Sequence, residues 1–540
     1  MTSAIATSHA LSRDSKSTID ASKLSYVKGS SEPETEEAPL PPRESERHRF
    51  YQSALDFCGF LDRSPSVYHA VEQVNERLRL QGFQKLREQD SWSSQLQPGG
   101  KYYVVRNDMS GASVIAFAVG KLWKPGNPFA MVATHVDSPC LKIKPVSKRY
   151  RSPFYLAGVQ TYGGGLWHTW FDRDLSAAGR VMIRTPAGTI ESRLVDIGLA
   201  MFRIPTLAVH YEKQNPFKFN TELDLLPVTG MSPDIPLMQR MVDDEYDGQG
   251  EILDSAPKPT SHSSKRSTPT QKRHGGVADL VAGVLSVHPE EIVDFDLSLY
   301  DTQRASLGGG FTEFIFSSRI DNLMMTYCAL EGFTRSLSDW RALNDESSVR
   351  LVAMFDNEEI SSGTQHGGRS NFLINTLRRI TNECEIGAPQ KSAFERSMAK
   401  SFLISADMIH GTHPHHHGLH ETNHSIWPNG GLAISSDNGR HLVKNTPGTA
   451  LILEIARYTE SGMPFEFQLF TRPNNVNCGS TLGPILSTQL GVRTVDMGNA
   501  QLSMHSIREQ AGTWDVEHAT RYMHLFFEKF SEVDKIFDID

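Results

Sequence analysis

The chain has 540 residues, of which 39% are hydrophobic and 22% charged, and its 54 Lys and Arg against 63 Asp and Glu give a formal net charge of −9. This length exceeds what one core usually holds and predicts about two or three domains, while the acidic balance provides no basic field for nucleic acid or an anionic membrane. The five cysteines are far apart and form no CxxC pair, which indicates a reducing compartment and argues against a structural zinc site.

The N-terminal region carries no recognisable targeting or membrane segment. Residues 1–45 are rich in Ser, Thr, Glu and Pro, and we predict a disordered tail because such a composition cannot bury enough apolar surface to offset ordering. No apolar run has the length of a signal-peptide core or approaches the ~20 residues of a membrane span. We therefore expect a cytoplasmic protein, with vacuolar import through a receptor-read address as the alternative.

The first folded segment, residues 46–137, has the pattern of an α/β domain. Apolar residues recur at helical spacing between Phe50 and Gly82 and predict two amphipathic helices. Two alternating stretches, KYYVVR and SVIAFAVG, predict the strands of a hairpin. Residues 128–135 predict a further buried strand, which ends on His135, with Asp137 two residues later.

The middle of the chain, residues 138–310, changes to a β-rich pattern. Short alternating runs such as RVMIRT, TIESRLVDIG and PTLAVHY, separated by turn residues, predict strands. A tract rich in Ser, Pro and Lys within residues 232–276 predicts a disordered loop. We therefore predict an α/β domain, residues 46–137 and 311–540, that is interrupted by an inserted β-rich domain.

The later segment, residues 311–540, returns to alternating strands and helices. Asp321 and Asn322 are expected to cap a helix that follows the strand FTEFIF, and residues 351–355 form an apolar run that ends in Asp-Asn-Glu-Glu. This alternation predicts a doubly wound mixed sheet. Further strands are expected at 401–407, 464–471 and 492–498, and further helices at 371–380, 449–460 and 514–530.

Imidazoles and carboxylates recur where these strands end, which in an open α/β sheet is the edge where ligands bind. Two His and several carboxylates without a thiolate suit Zn²⁺ or Mn²⁺ in a catalytic site. The carboxylates exceed what one ion needs, so two cations ~3.5–4 Å apart and bridged by one carboxylate would use them all. The residues in these positions are His135, Asp137, Asp321, Glu358, Glu359, Asp407 and His505.

The chemistry of these groups suggests a division of roles. His135 would bind metal while Asp137 accepts the other ring N–H, and Asp321 would bridge both ions. Glu359 and Asp407 would each hold one ion, and His505 would complete the second site. Glu358 would then be free to take a proton from an acidified water, which implies hydrolysis of a carbonyl or phosphoryl bond. Taken singly, each residue is more typical of a helix cap or a buried structural histidine.

Seven separated strings give the chain a specific family resemblance. They are ATHVDSPCLKIKP, YGGGLWHTWFDRDLSAAGRV, SRIDNL, FDNEEISS, SADMIHGTHP, CGSTLGPI and MHSIRE, in that order over about residues 50–535. With these motifs the chain resembles the aspartyl aminopeptidase family of di-zinc exopeptidases. The resemblance implies removal of an N-terminal Asp or Glu from peptides with a free N-terminus, an inserted domain that mediates dimer contacts, and a tetrahedral dodecamer built from dimers.

The resemblance also assigns individual residues. It implies two Zn²⁺ per subunit, with Mn²⁺ or Co²⁺ as alternatives in one site, and it makes Glu358 the base and Asp137 the orienting carboxylate. His168 in GGGLWHTW and His410 after Asp407 would contact substrate, since an imidazole can donate to an oxyanion or a carboxylate. His168 lies in the inserted domain and would reach the site of a neighbouring subunit. The implied zinc ligands are His135, Asp321, Glu359, Asp407 and His505.

The chain departs from the family pattern near the bound substrate. Where the family has a Lys, a Tyr and an Asp, this sequence has Ser435, Leu442 and Asn475. Loss of a cation weakens the expectation that an acidic N-terminal residue is preferred, because the anionic side chain lacks a charge partner. We therefore hypothesise an active aminopeptidase whose preference is altered.

Two rival interpretations remain. His420, Glu421 and His424 match the HExxH signature of zincins, although Gly418 before them and the stretch WPNGG after them are unfavourable for the required helix. The chain could alternatively be a zinc-binding assembly scaffold that has lost turnover.

Overall fold

The structure is a computed structural model, and it describes residues 44–106, 111–211, 217–231, 277–384, 391–437, 441–459, 464–477 and 479–537. Residues 1–43 of the predicted tail and the whole predicted loop 232–276 lie outside these ranges. None of the helices within them has the length and apolar character needed to span a bilayer.

Helices and strands alternate through the described chain. In chain order the helices are α1 (Glu44–Asp62), α2 (Val67–Leu80), α3 (Val277–Leu285), α4 (Ile320–Arg335), α5 (Phe372–Glu383), α6 (Ala393–Lys400), α7 (Thr446–Ala456), α8 (Leu482–Leu490) and α9 (Asp515–Val533). The strands are β1 (Gln84–Leu86), β2 (Lys101–Val105), β3 (Val114–Val119), β4 (Phe129–His135), β5 (Cys140–Arg151), β6 (Phe154–Tyr162), β7 (Leu175–Arg184), β8 (Ile190–Asp196), β9 (Val228–Met231), β10 (Ile292–Asp301), β11 (Ser306–Gly308), β12 (Phe314–Ser317), β13 (Val349–Phe355), β14 (Phe402–Ala406), β15 (Ile409–His410), β16 (Leu432–Ser435), β17 (Phe467–Phe470), β18 (Arg493–Gly498), β19 (Ala500–Leu502) and β20 (Glu509–Gly512).

The largest sheet has nine strands in the order β1-β2-β3-β13-β4-β14-β18-β16-β17. Its centre is parallel, since β4 pairs in parallel with β13 and β14, and β14 with β18. Antiparallel pairs, such as β2 with β3 and β16 with β18, lie towards its sides. The predicted mixed α/β sheet is therefore confirmed.

Both faces of this sheet are buried, because alternate side chains of each central strand enter different cores. Along β4, Ala130 and Val132 pack into the core formed with α1, α2, α4, α7 and α9. Met131 and Ala133 pack into the opposite core, to which α5 and α8 contribute. Each large side chain buried in this way stabilises the fold by about 1.5–3 kcal/mol, so the strand ends are held on a rigid support.

Two smaller sheets complete the described fold. The first has six antiparallel strands in the order β8-β7-β10-β5-β6-β9, and it surrounds a third core. The second has five strands in the order β11-β12-β20-β19-β15. The six-stranded sheet takes all its strands from residues 140–301, within the segment predicted as β-rich.

Two local predictions are wrong. The run PTLAVHY forms no strand, and Leu207, Val209 and Tyr211 are exposed. Despite the alternating pattern, no strand within the described ranges pairs with this segment. Asp321 and Asn322 do not cap α4, because Oδ1 of each accepts no hydrogen bond from the residues that the structure describes. The Asp321 carboxylate is directed elsewhere, towards two imidazoles.

Candidate metal centre

Three central strands bring polar residues to one edge of the nine-stranded sheet. Phe355 at the end of β13 is in register with His135 at the end of β4, and β14 runs parallel to β4 on its other side. Glu358 and Glu359 follow β13 in a short 3₁₀ turn, and Asp407 directly follows β14. Because parallel strands end at the same edge, residues distant in sequence meet here.

The carboxylate of Asp321 lies between the two imidazoles. Its Oδ1 is 3.5 Å from Nε2 of His135, and its Oδ2 is 3.3 Å from Nε2 of His505. Asp321 is buried, and each of its oxygens faces a different ring. This is the arrangement that a carboxylate bridging two cations requires.

Each imidazole faces one further carboxylate. Nε2 of His135 is 3.3 Å from Oδ1 of Asp407, and Nε2 of His505 is 3.4 Å from Oε1 of Glu359. Two ligand atoms held about 2.0–2.2 Å from one tetrahedral zinc ion are about 3.3–3.6 Å apart. The side chains thus form two groups of zinc-like spacing that share Asp321.

Unsatisfied oxygens also fit a bound cation. Oδ1 of Asp321 and Oε1 of Glu359 are buried and accept no hydrogen bond from the residues that the structure describes. Suitable atoms of His135, Asp321 and Glu359 lie within 4.8 Å of one another. Buried polar atoms without a partner are rare and call for an unseen ion or water, and nitrogen and oxygen donors of this kind suit Zn²⁺.

The backbone fixes the orientation of both rings. Nδ1 of His135 is 3.0 Å from the carbonyl oxygen of Asp137, and Nδ1 of His505 is 3.1 Å from the carbonyl oxygen of Gly164. A ring that donates through Nδ1 presents Nε2 as the free ligand atom. Both Nε2 atoms therefore face Asp321.

The carboxylate of Asp137 has further partners. It lies 3.5 Å from Nδ1 of His135, farther than the Asp137 carbonyl, so the carbonyl is the nearer acceptor for the ring. Its two oxygens instead accept the backbone N–H groups of Glu358 and Glu359, each over 3.1 Å. Asp137 thereby positions the turn that carries both glutamates.

Two positioning residues were missed by the sequence analysis, although both lie in the motif strings quoted there. Tyr162 donates its hydroxyl to Asp137 over 2.7 Å and accepts a hydrogen bond from the Asn357 side chain over 2.9 Å. Glu509 accepts the backbone N–H of His505 over 2.8 Å and that of Asp321 over 3.0 Å. Strand periodicity gave neither residue a special status.

Gly163, which follows Tyr162 in the chain, must be glycine because of its backbone conformation and because Glu359 lies too close for a side chain. Its φ of +76° is a conformation that side chains rarely adopt, and a Cβ there would lie 3.1 Å from Cβ of Glu359. This glycine lets the backbone that carries Tyr162 and Gly164 approach the catalytic turn.

The crowded charges shift the ionisation of the site. Burial, together with the charges of Asp407, Asp137 and Asp321, raises the pKa of Glu358 to about 8 against the opposing effect of His135. Burial would lower the pKa of His505, but its contacts with Asp321 and Glu359 outweigh this and raise it to about 10. Burial would raise the pKa of Asp321, yet the adjacent imidazoles of His135 and His505 lower it. The site therefore gathers more negative charge than it compensates, which favours bound cations.

The residues predicted to contact substrate occupy different places. His410 ends β15 and lines the same cleft as the metal-ligand candidates, where desolvation lowers its pKa and favours the neutral imidazole. The cleft has a volume of about 1000 Å³. His168 lies in the short turn Trp167–Trp170, is exposed, and does not line the cleft of its own chain.

Of the three residues that depart from the family pattern, two line the cleft and one does not. Ser435 and Leu442 line the cleft, beside His441. Asn475 is exposed and is not among the cleft-lining residues in the part of the chain that the structure describes.

The HExxH residues do not lie on an α-helix. His420 follows one 3₁₀ turn and His424 ends another, so they do not share a helical face. Nδ1 of His424 contacts Oε2 of Glu421 over 2.5 Å, and Nε2 of His420 accepts the backbone N–H of His413. Because a zincin needs both imidazoles on one face of a helix, this geometry does not support the zincin interpretation.

Comparisons with known proteins show that the chain is similar to zinc metalloproteases. Residues 60–527 match the model of the family described as aminopeptidase I zinc metalloprotease (M18). The chain is 43% identical over 494 residues to the aspartyl aminopeptidase of Aspergillus oryzae, a match that covers 91% of this chain and 98% of the relative. It is similar to Ape4, solved in complex with Nbr1, at 38% identity and a TM-score of 0.81 over 93% of this chain and 90% of that one. The mApe1 dodecamer of S. cerevisiae matches 91% of this chain and 100% of its own at 29% identity, with a TM-score of 0.75.

Proposed function

This chain belongs to the M18 family of aminopeptidase I zinc metalloproteases, and we propose that it removes an N-terminal Asp or Glu from peptides. The observation that carries the proposal is the placement of the Asp321 carboxylate between the imidazoles of His135 and His505. An aspartyl aminopeptidase at 43% identity supports the acidic preference.

The proposed cofactor is a pair of zinc ions in each subunit. His135 and Asp407 would hold one ion, His505 and Glu359 the other, and Asp321 both; the distances within each group support this assignment. Mn²⁺ or Co²⁺ is an alternative in one site, because the same donors suit these ions. When bound, zinc acidifies water and polarises a carbonyl.

Glu358 is the proposed general base. It lines the cleft with His135 and Asp407, and the charge of His135 opposes the rise in its pKa. Bound zinc ions would favour its carboxylate form in the same way. As a carboxylate it accepts a proton from the attacking water and delivers that proton to the leaving amine. Asp137 keeps Glu358 in place by accepting its backbone N–H.

His410 and His168 are the proposed substrate contacts. The neutral imidazole of His410 can donate a hydrogen bond to an oxygen that becomes negative during the reaction. His168 would serve the site of a neighbouring subunit, which is consistent with its exposure outside the cleft of its own chain.

We propose a homo-oligomeric enzyme, and specifically a dodecamer built from dimers through the inserted β-rich domain of residues 138–310. The similarity to the mApe1 dodecamer supports this assembly. The exposed apolar side chains of Leu207, Val209 and Tyr211 provide apolar surface for such a contact. We place the enzyme in the cytoplasm, with vacuolar import as the alternative.

A panel of N-terminal Asp, Glu, Ala and Leu amides tests the function. We expect the acidic pair to be cleaved fastest, and a chelator to abolish turnover that added Zn²⁺ restores. Preferred cleavage of Ala or Leu would contradict the acidic specificity and favour the altered preference. Two bound metals with no turnover on any amide would instead favour the assembly scaffold.

A further inference from the structure

The cleft that holds the candidate metal centre is strongly acidic. In the part of the chain that the structure describes, Arg369 is the only Lys or Arg among the residues that line it. An acidic lining suits zinc ions and the amine of a peptide. It repels a substrate carboxylate, which therefore needs a cationic partner in the cleft. The acidic side chains that line the cleft are Asp321, Glu358, Glu359, Asp407 and Asp496.

The backbone of Arg369 is anchored next to the catalytic turn. Its N–H donates to the carbonyl oxygen of Ser362 over 3.1 Å, and its own carbonyl accepts a hydrogen bond from the Gln489 side chain over 2.8 Å. Consecutive Cα atoms are about 3.8 Å apart, so Ser361 lies within about 8 Å of Glu359. The backbone of Arg369 is thus held next to the turn that carries Glu358 and Glu359, and its exposed side chain lines the same cleft.

One nitrogen of the Arg369 guanidinium, Nε, donates a hydrogen bond within the described part of the chain. Nε donates to the carbonyl oxygen of Ser361 over 3.0 Å, which orients the planar head. The guanidinium forms no ion pair with any residue in the described ranges. The two terminal nitrogens of a guanidinium can bind one carboxylate through two parallel hydrogen bonds.

We propose that Arg369 binds a carboxylate of the peptide substrate and so determines acidic specificity. The proposal rests on the proposed function. It names a cation that would replace the Lys of the family pattern, which this chain lacks because Ser435 stands at that position. The carboxylate belongs either to the side chain of the N-terminal residue or to an acidic residue farther along the peptide. Both sources present the same chemistry, and substrate choice separates them.

The test uses the full-length, zinc-loaded enzyme and the variants Arg369→Gln and Arg369→Lys. Arg457→Gln is the matched control, because the side chain of Arg457 is 75% exposed and, among the described residues, forms its ion pair with Glu454 on α7. Substrates form charged and neutral pairs of nearly equal size: N-terminal Asp against Asn, N-terminal Glu against Gln, and Ala-Asp against Ala-Asn. Values of kcat/KM are compared within each pair.

We expect Arg369→Gln to lower kcat/KM by about 10–100-fold for one class of acidic substrate, as loss of a hydrogen bond to a charged group implies. The neutral partner of each pair should change by less than about threefold, and Arg369→Lys should recover part of the loss. A loss restricted to N-terminal Asp and Glu assigns the carboxylate to the first residue. A loss restricted to Ala-Asp assigns it to the second.

Equal losses on charged and neutral substrates would overturn the proposal, because Arg369 would then only support the Ser361 loop. Unchanged kinetics on every pair would overturn it as well. The parent enzyme tests the proposed function separately: if it prefers neutral N-terminal residues, the acidic specificity fails, whereas the Ala-Asp pair still tests Arg369. If the parent enzyme prefers acidic residues and Arg369→Gln retains that preference, the inference alone fails.

Discussion

The hydroxyl of Tyr162 donates a hydrogen bond to Oδ2 of Asp137 over 2.7 Å, and this contact joins two sheets of the molecule. Tyr162 ends β6 of the six-stranded sheet, whereas Asp137 follows β4 of the nine-stranded sheet. The same Asp137 oxygen accepts the backbone N–H of Glu359. A residue of the six-stranded sheet therefore supports the turn that carries the proposed base.

Removal of this hydroxyl should impair catalysis more than substrate binding. We expect Tyr162→Phe to lower kcat by about 10–100-fold, the usual effect of losing a partner that orients a metal site, with little change in KM. Steady-state kinetics and zinc content measure the effect. Tyr155→Phe on the same strand is the control, and a Tyr162→Phe enzyme with unaltered kcat would contradict the role.

The contrast between His135 and Tyr162 explains which parts of the site could be predicted from the sequence. His135 and Glu359 follow continuous apolar runs, so a local pattern alone assigned them to the edge of a sheet. Tyr162 acts through a contact between sheets, and Glu509 acts through two backbone N–H groups, so neither has a local signature. Local patterns also fail for the run containing Val209, whose alternation predicts a strand although none of the described strands pairs with it.

The bridging position of Asp321 predicts a specific metal defect. Asp321→Asn keeps the size of the side chain but replaces one of its two oxygens and removes its charge. We expect the bound zinc to fall from two ions per subunit to one or none. Activity should fall by more than the ~10–100-fold that follows when a residue hydrogen-bonded to a metal ligand is removed. Metal analysis of the purified oligomer measures it, and exposed Asp339→Asn serves as the control. Two retained zinc ions would contradict the bridge.

A pair of matched substitutions separates the proposed base from the rival signature. Glu358→Gln removes the proton acceptor without changing its shape, so we expect kcat to fall by about 10²–10⁴-fold while zinc content stays constant. Glu421→Gln alters a residue whose side chain contacts His424 outside the metal centre, and activity should persist. If Glu421→Gln abolished activity at constant zinc content while Glu358→Gln remained active, the zincin interpretation would be favoured instead.

His518 on α9 predicts how stability depends on pH. Burial, and then the charge of Arg521, lowers its pKa to about 4, and its Nε2 accepts the backbone N–H of Glu466. The unfolded chain takes up a proton near pH 6.5, whereas the folded protein resists protonation until about pH 4. The stabilisation from this group is therefore complete above pH 6.5 and is lost as the pH falls towards 4, a total of about 3 kcal/mol.

His518→Gln should remove this dependence, because an amide oxygen can still accept the N–H of Glu466 but does not titrate in this range. We expect the Tm of the parent protein to fall more steeply than that of the variant between pH 7 and pH 5, both measured with saturating zinc so that metal loss contributes equally. His524→Gln on the same helix controls for a general effect of replacing a histidine, since its side chain pairs with Glu528 at the half-exposed surface. Parallel Tm curves for the parent and His518→Gln would show that His518 is not the group responsible.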